Sequence, residues 1–449
     1  MTSTARRLAT ALGTPNPIQA LIYLDAAVGA APETVIANQL GPIRTTVAGA
    51  GDVPAAGTAS LQLVDDGLVH VDAELIRIQL TDAALVTLFG SSTSPAAVAA
   101  RNRWTGFLTD CATAVTRSSG AHRKTAITAA GVWSRLANEM PPHLPFGMVG
   151  ADRWALTTGD GDAADYLLGP GFWVDARIAQ LAGPDPAAPL SGNGASLLAN
   201  RHPTNAVSPV SQPPALRDYP YPPLSRFVEI LAACTDDVGV VERRDGLVTW
   251  FNAPVRQATH TALTIPASAI LEPLTMKLDT GSVFYDAAVT LADGTVVQYW
   301  GYSRGVLNAE TALVTEDQAL TLGALMIDRR QTAKWLLDSV TVDLLALIED
   351  GQLDLVRALL TLDPGALVKL DGLPNPTGLS GLTDVNVRYW LASIEEQITR
   401  SSWLMTLRLT SFERYRAGAN EHGTAWDEVT PAGLTWNAVN PALTWNAYT

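Results

Sequence analysis

The clearest catalytic pattern in this sequence is Gly301-Tyr302-Ser303-Arg304-Gly305, a G-x-S-x-G motif. In α/β-hydrolases this motif forms a sharp turn between a strand and a helix, and the turn presents the serine hydroxyl as a nucleophile. His422, the only later histidine, could act as the base, and Asp363 could supply the acid. Because the preceding strand is the second half of a predicted hairpin, it is antiparallel. We therefore favour a turn serine and keep a serine hydrolase as the alternative.

Metal and thiol chemistry have little support in the sequence. The histidines lie at positions 70, 122, 143, 202, 260 and 422, and no two of them have an HExxH or HxH spacing. Cys111 and Cys234 are far apart and are predicted to be buried free thiols. The carboxylates of Asp160, Asp162 and Asp165 lack the loop pattern of a calcium site and indicate a turn. We predict no catalytic residue, metal or cofactor.

The composition limits the kinds of partner that this chain can bind. It has 449 residues, 47% of them hydrophobic, which is enough for two or three folded domains. A net charge of −14 argues against an ordinary basic nucleic-acid-binding surface. Charged residues make up 16%, a low share that suits a surface covered by other subunits. No run of about 18 apolar residues occurs, so we predict no membrane span.

Strand–turn–strand patterns dominate the chain. The predicted hairpins are 60–64 with 68–71, 238–242 with 247–251, 283–291 with 295–300, and 387–398 with 403–410. The first three turns contain an Asp-Gly pair, and glycine takes positive φ at little cost. In the last strand Trp403, Met405, Leu407 and Leu409 alternate with polar residues. This period of two predicts a half-buried antiparallel strand.

Helical patterns are fewer and do not alternate regularly with the strands. Thr315 and Gln318 fit a capping box that opens a helix to about Trp335. A second helix is predicted after Ser225, and a shorter one over residues 130–140. Because strands and helices do not alternate, we predict an α+β fold of mostly antiparallel β-structure.

Two segments interrupt this pattern. Residues 183–223 are rich in proline and form either a linker or an arm that lies on a neighbour. Near the C-terminus, Trp426, Trp436 and Trp445 recur at intervals of nine or ten residues. Exposed tryptophans would form a partner-binding surface, whereas the alternative is a tail that packs on its own domain. The predicted regions are 1–145, 146–260, 261–415 and 416–449.

The order of several segments resembles the minor tail proteins of long-tailed (siphovirus) phages that infect actinobacteria, within the baseplate-hub family. The most characteristic segment is residues 226–251, where a helix leads into a G-x-V-x-x-x-D-G-x-V-x-W-like unit. The other matching segments are 104–110, 123–140, 315–344, 362–370, 387–410 and the terminal Trp repeats. In this alignment Ser303 falls in a turn before a helical segment.

The resemblance implies two hub-type, β-barrel-like domains in residues 1–145 and 261–415, with helical and irregular insertions. It also implies a homotrimer that forms a pseudo-sixfold ring and closes the tail tube at the tip of the virion. Expected partners are the distal tail protein, the tape-measure protein and receptor-binding or fibre proteins. DNA would pass through the channel without specific binding, and an acidic channel wall would repel its phosphates. A cell-wall carbohydrate-binding adhesin is a further alternative, with the terminal tryptophans stacking on sugar rings.

Overall fold

The computed structural model describes a large part of the chain. The described residues are 7–15, 17–23, 34–36, 40–48, 57–64, 75–116, 122–131, 133–134, 153–154, 219–220, 233, 238–246, 248–252, 263–271, 274, 276–279, 283–299, 305–311, 313, 315–328, 334–373 and 387–411.

Antiparallel strands dominate these residues, as the hairpin patterns predicted. The strands are β1 Ile18–Tyr23, β2 Thr34–Ile36, β3 Leu40–Ala48, β4 Thr58–Val64, β5 Leu75–Leu80, β6 Asn102–Thr116, β7 His122–Gly131, β8 Arg153–Trp154, β9 Tyr219–Pro220, β10 Val238–Glu242, β11 Val248–Asn252, β12 Leu263–Pro266, β13 Met276–Asp279, β14 Asp286–Thr290, β15 Val296–Tyr299, β16 Val306–Glu310, β17 Lys334–Leu337, β18 Ser339–Asp343, β19 Leu367–Asp371, β20 Val387–Ile398 and β21 Trp403–Ser411. The α-helices are α1 Arg7–Ala11, α2 Asp82–Phe89, α3 Pro95–Arg101, α4 Glu316–Asp328, α5 Leu344–Glu349 and α6 Leu353–Thr361.

A 12-stranded sheet joins the two ends of the described chain. Its order is β12-β19-β20-β3-β4-β7-β6-β5-β1-β2, and β21 pairs with both β20 and β18. The connection between the early and late strands is β3 with β20, where Ile43 lies opposite Ile398 and Ala48 opposite Ser393. Strands from residues 1–145 and 261–415 therefore share one sheet. The proposed domain boundaries remain a prediction.

The sheet is open within the described part of the chain. The two strands at the ends of this order, β12 and β2, do not pair with each other. An isolated bridge between Ile270 and Val342 links the chain after β12 to β18. A fully closed barrel is not found among the described residues, and the barrel-like domains implied by the resemblance remain a prediction.

One apolar core lies against this sheet. It contains side chains from the early strands, such as Ile78, and from the late strands, such as Val368 and Leu407. Trp403, Met405 and Leu407 are fully buried and Leu409 nearly so, which confirms the predicted inward face of β21. Burial of this face explains why an alternating sequence forms a strand here.

Three of the predicted hairpins are confirmed. β10 pairs with β11, β14 with β15 and β20 with β21, all antiparallel. Gly246 and Gly294 have φ of 85° and 88°, the positive φ that glycine adopts at little cost and on which the turn predictions were based. The predicted partner of strand 60–64, residues 68–71, lies outside the described residues.

Local capping explains where several helices begin. The Thr81 hydroxyl accepts a hydrogen bond from the Ala84 N–H and starts α2. Ser94 starts α3 in the same way, with proline in its first turn. The Asp343 carboxylate accepts from two backbone N–H groups and starts α5 directly after β18. In the described parts, no helix is long and apolar enough to cross a membrane.

Two predicted helices need correction. The Thr315 hydroxyl donates to Gln318 Oε1 at 2.9 Å, a bond between side chains and not the side-chain-to-backbone bond of a capping box, and α4 ends at Asp328. Residues Lys334–Leu337 are a strand because they pair with Met276–Asp279. The helix predicted from Ala130 also begins too early, since Ala130 lies opposite Thr58 and Phe107 within β7. Of the helix predicted after Ser225, only Ala233, which is helical, is described.

Candidate functional site: a buried charge cluster at the sheet junction

The G-x-S-x-G motif leads into a strand. Residues 301–304 and His422 lie outside the described residues, but Gly305 is described. Its carbonyl accepts a hydrogen bond from the Asp286 N–H at 3.2 Å, and β16 begins at the next residue. A nucleophile elbow leads from a strand into a helix. The motif is therefore not followed directly by the helix that the hydrolase alternative requires. Strand β16 also separates it from α4, although the resemblance placed Ser303 in a turn before a helical segment.

Asp363, the acid of that alternative, belongs to a different site. Its Oδ2 accepts from Arg243 Nε at 3.1 Å, and its Oδ1 lies 3.5 Å from the Arg244 backbone N. Both contacts reach the turn of the β10–β11 hairpin. The described partners of this carboxylate are those of a structural ion pair.

Most other predicted site residues lie outside the described part of the chain. These are Trp426, Trp436, Trp445, Asp160, Asp162, Asp165 and Cys234, together with residues 183–223 apart from Tyr219–Pro220. The tryptophan surface therefore remains a prediction. Cys111 lies in β6 opposite Ile127. Among the described residues, no group of three or more His, Cys, Asp or Glu side chains could hold a metal ion.

The site that the fold does build is a charge cluster of Arg103, Arg244 and Glu396. Arg103 comes from the start of β6, Arg244 from the β10–β11 turn and Glu396 from β20. Their exposed fractions are 0%, 2% and 2%. Arg103 binds both oxygens of Glu396, with Nε 3.3 Å from Oε2 and Nη2 on Oε1. Trp403 Nε1 donates to Oε2 at 3.0 Å, so the carboxylate is held by three donors.

Other guanidinium donors of the cluster bind the end of helix α6, and Arg103 Nη1 also donates to the Ala100 carbonyl at 3.2 Å. Arg103 Nη1 donates to the Leu360 carbonyl at 2.8 Å, and Arg244 Nη1 donates to the same oxygen at 2.6 Å. Arg244 Nη2 lies 3.4 Å from the Leu359 carbonyl. The last carbonyls of a helix lack intrahelical partners and carry partial negative charge. The two arginines therefore satisfy these carbonyls and stabilise the C-terminus of α6.

The cluster shifts the pKa values of its members. Burial by itself would raise the pKa of Glu396, but the charges of Arg103 and Arg244 and the hydrogen bonds from Arg103 and Trp403 outweigh it. The pKa of Glu396 consequently lies below its ordinary value. Burial, together with the nearby charge of Arg103, lowers the pKa of Arg244 to about 10. Glu396 and Arg244 therefore remain charged at neutral pH.

A second buried carboxylate, Glu242, comes from the same hairpin. Its Oε2 accepts from the Gly57 N–H at 3.0 Å and its Oε1 from the Trp133 N–H at 3.4 Å. A Cβ atom at Gly131 would lie only 2.2–2.5 Å from the Glu242 carboxyl group. We call Gly57, Gly131 and Trp133 the carboxylate cradle, because backbone donors and the absence of a side chain admit Glu242.

Neither buried site was predicted from the sequence. The relevant sequence feature is the run Glu242-Arg243-Arg244 beside a hairpin turn. Three adjacent charges at such a place are ordinarily solvated, so the run by itself did not indicate a buried site. The burial of Glu242 and Arg244 needs partners that lie more than a hundred residues away. Chemically, the sites offer ion pairs and hydrogen bonds, which hold strands, helix and hairpin together.

The chain was compared with known proteins. No protein-family model matches the sequence, and no curated protein is detectably similar to it. Solved structures do share its fold. The 43 kDa tail protein of prophage MuSo2 from Shewanella oneidensis superposes with a TM-score of 0.50 at 11% identity, covering 90% of this chain and 98% of that one.

Two further structures are similar at lower scores. A tail protein from Neisseria meningitidis has a TM-score of 0.47 at 12% identity, covering 88% of this chain and 96% of its own. The prophage tail protein gp18 from Listeria monocytogenes has a TM-score of 0.43 at 8% identity, covering 88% and 95%. At such identities the likeness concerns the fold alone, and the fold comparison rests on the Shewanella structure.

Proposed function

We propose that this chain is a structural protein of a phage tail. The observation that carries this proposal is the fold shared with the MuSo2 tail protein over 90% of this chain and 98% of that one. The buried sites are consistent with it, because their charged groups bind one another and the backbone. The hydrolase alternative gains nothing from Asp363 or from the strand after Gly305, so we do not propose an enzymatic role.

More specifically, we propose a homotrimeric hub at the tail tip, with residues 1–145 and 261–415 as its β-rich parts. A threefold ring uses heterologous contacts, so each protomer presents two different surfaces to its neighbours. The hub would close the tail tube and contact the distal tail, tape-measure and receptor-binding or fibre proteins. A net charge of −14 suits a wall along which DNA passes without being retained.

Negative-stain electron microscopy of the purified full chain tests this assembly. Class averages without imposed symmetry should show threefold rings with a central opening. An antibody against the chain should also label one end of the phage tail. Rings of another symmetry would contradict the trimer, and labelling along the whole tail would contradict the position at the tip.

The terminal tryptophans give a separate prediction. Deleting residues 424–449, which contain Trp426, Trp436 and Trp445, should abolish attachment of the partner protein and leave the core folded. The measurement is incorporation into complete tails, with circular dichroism as the folding control. A full-length variant with all three tryptophans changed to alanine should behave like the deletion. Normal incorporation of both variants would show that this surface is not used.

A further inference from the structure

The β10–β11 hairpin has an unusual attachment to the rest of the molecule. Among the described strands, β10 and β11 pair only with each other. A two-stranded ribbon is marginally stable by itself, so its place depends on contacts with its surroundings. The contacts of Glu242, Arg243 and Arg244, beside and within its turn, reach two different parts of the structure.

Glu242 binds the side formed by the early strands. Its carboxylate lies in the carboxylate cradle, where Gly57 directly precedes β4 and Trp133 closely follows β7. The Gly131 N–H donates to the Gly57 carbonyl at 2.7 Å, which holds the two glycines of the cradle together. A buried carboxylate with such donors is expensive to withdraw, because its hydrogen bonds and its favourable environment are lost together.

Arg243 and Arg244 bind the side formed by the late elements. Arg244 donates to carbonyls at the end of α6 and lies 3.7 Å from Glu396 of β20. Arg243 pairs with Asp363, which follows α6. On the early side, in contrast, the Arg244 backbone carbonyl accepts a hydrogen bond from Thr105 Oγ1 of β6 at 3.1 Å. Glu242 and Arg244 are two positions apart, so neither can move far without displacing the other.

We propose that the β10–β11 hairpin is a strap that couples the carboxylate cradle to α6 and β20, in addition to the direct β3–β20 pairing and the Arg103–Glu396 ion pair, and that it is released as one body. When the hairpin is released, the contacts of Glu242 with the carboxylate cradle and those of Arg243 and Arg244 with the late elements break together.

Amide hydrogen exchange of the full chain tests this coupling. Replacing Arg244 with methionine removes a contact on the late side only. If the hairpin leaves as one body, the Gly57 and Trp133 amides on the early side should exchange at least tenfold faster. The amides of Leu85 in α2 and Leu391 in β20, which bond to Thr81 and Ala366, should keep their protection and thus exclude global unfolding.

Two further variants complete the experiment. Asp363→Asn weakens the late side more gently and should also accelerate exchange of the Gly57 and Trp133 amides. This variant serves as the test if Arg244→Met does not fold. Arg408→Met removes an exposed ion pair with Glu395 in the same sheet and should leave the Gly57 amide unchanged. Unchanged protection of Gly57 in both Arg244→Met and Asp363→Asn would overturn the strap, because the two sides would then be independent.

Discussion

Replacing Glu396 with glutamine is expected to lower the free energy of unfolding by about 3–5 kcal/mol, because it leaves two buried guanidinium groups without their carboxylate. Arg103 and Arg244 are both buried, and no other carboxylate contacts Arg103 in the described part of the structure. The side-chain volume is almost unchanged, so the loss reports charge and hydrogen bonding rather than a cavity. Urea denaturation followed by tryptophan fluorescence measures it.

Two variants serve as controls for this prediction. Glu395→Gln changes the neighbouring residue, whose partner Arg408 is 52% exposed, and should cost at most about 1 kcal/mol. The double variant Arg103→Met/Glu396→Met replaces the bidentate pair with apolar groups and should be less destabilised than Glu396→Met alone. If the loss of unfolding free energy in the double variant equals the sum of the losses in the two single variants, Arg103 and Glu396 do not act as a pair.

The pKa shift of Glu396 adds a pH dependence with a defined sign. Its pKa is lowered in the folded state from an ordinary value of 4.5. The carboxylate therefore contributes its full stabilisation above pH 4.5 and loses it as the pH falls through the folded-state pKa. The difference in unfolding free energy between wild type and Glu396→Gln should be constant near neutral pH and narrow below 4.5. A difference that widens towards acid would contradict the lowered pKa.

The second large effect concerns Gly131. Its replacement by alanine should lower the free energy of unfolding by about 2–4 kcal/mol, because the new Cβ displaces the buried Glu242 carboxylate. The closest approach would be 2.2 Å, to Oε1 of Glu242. Gly305→Ala is the matched control, since its nearest neighbour would be Phe284 at an ordinary 3.5 Å. Thermal and urea unfolding of both variants measure the difference.

A double-mutant cycle shows whether the clash is the cause. A Glu242→Ala background removes the three atoms nearest to the new Cβ, so adding Gly131→Ala should cost much less there than in the wild type. Alanine also lowers the conformational entropy of the unfolded chain, which by itself stabilises the double variant by about 0.5 kcal/mol relative to Glu242→Ala. An equal cost in both backgrounds would assign the effect of Gly131→Ala to the backbone and would remove the steric basis of the carboxylate cradle.

The local rules in the sequence accounted for the hairpins. The Asp-Gly turns before β11 and β15 and the alternation along β21 act through neighbouring residues, so they can be read without knowing the fold. The same rules failed for β17 and for the end of β7. At both places cross-strand pairing, with β13 and with β4 and β6, overrides the local helical pattern.

The sequence by itself thus determined the antiparallel character of the chain, the inward face of its last strand and the tail-protein resemblance, because these depend on local periodicity and segment order. Only the tertiary structure decided that early and late strands form one sheet and that Glu242, Arg244 and Glu396 are buried. Arg103 and Glu396 are 293 residues apart, and Gly57 and Glu242 are 185 apart. Partners at such separations leave no periodic signal in one sequence, because their proximity arises only when the strands pair.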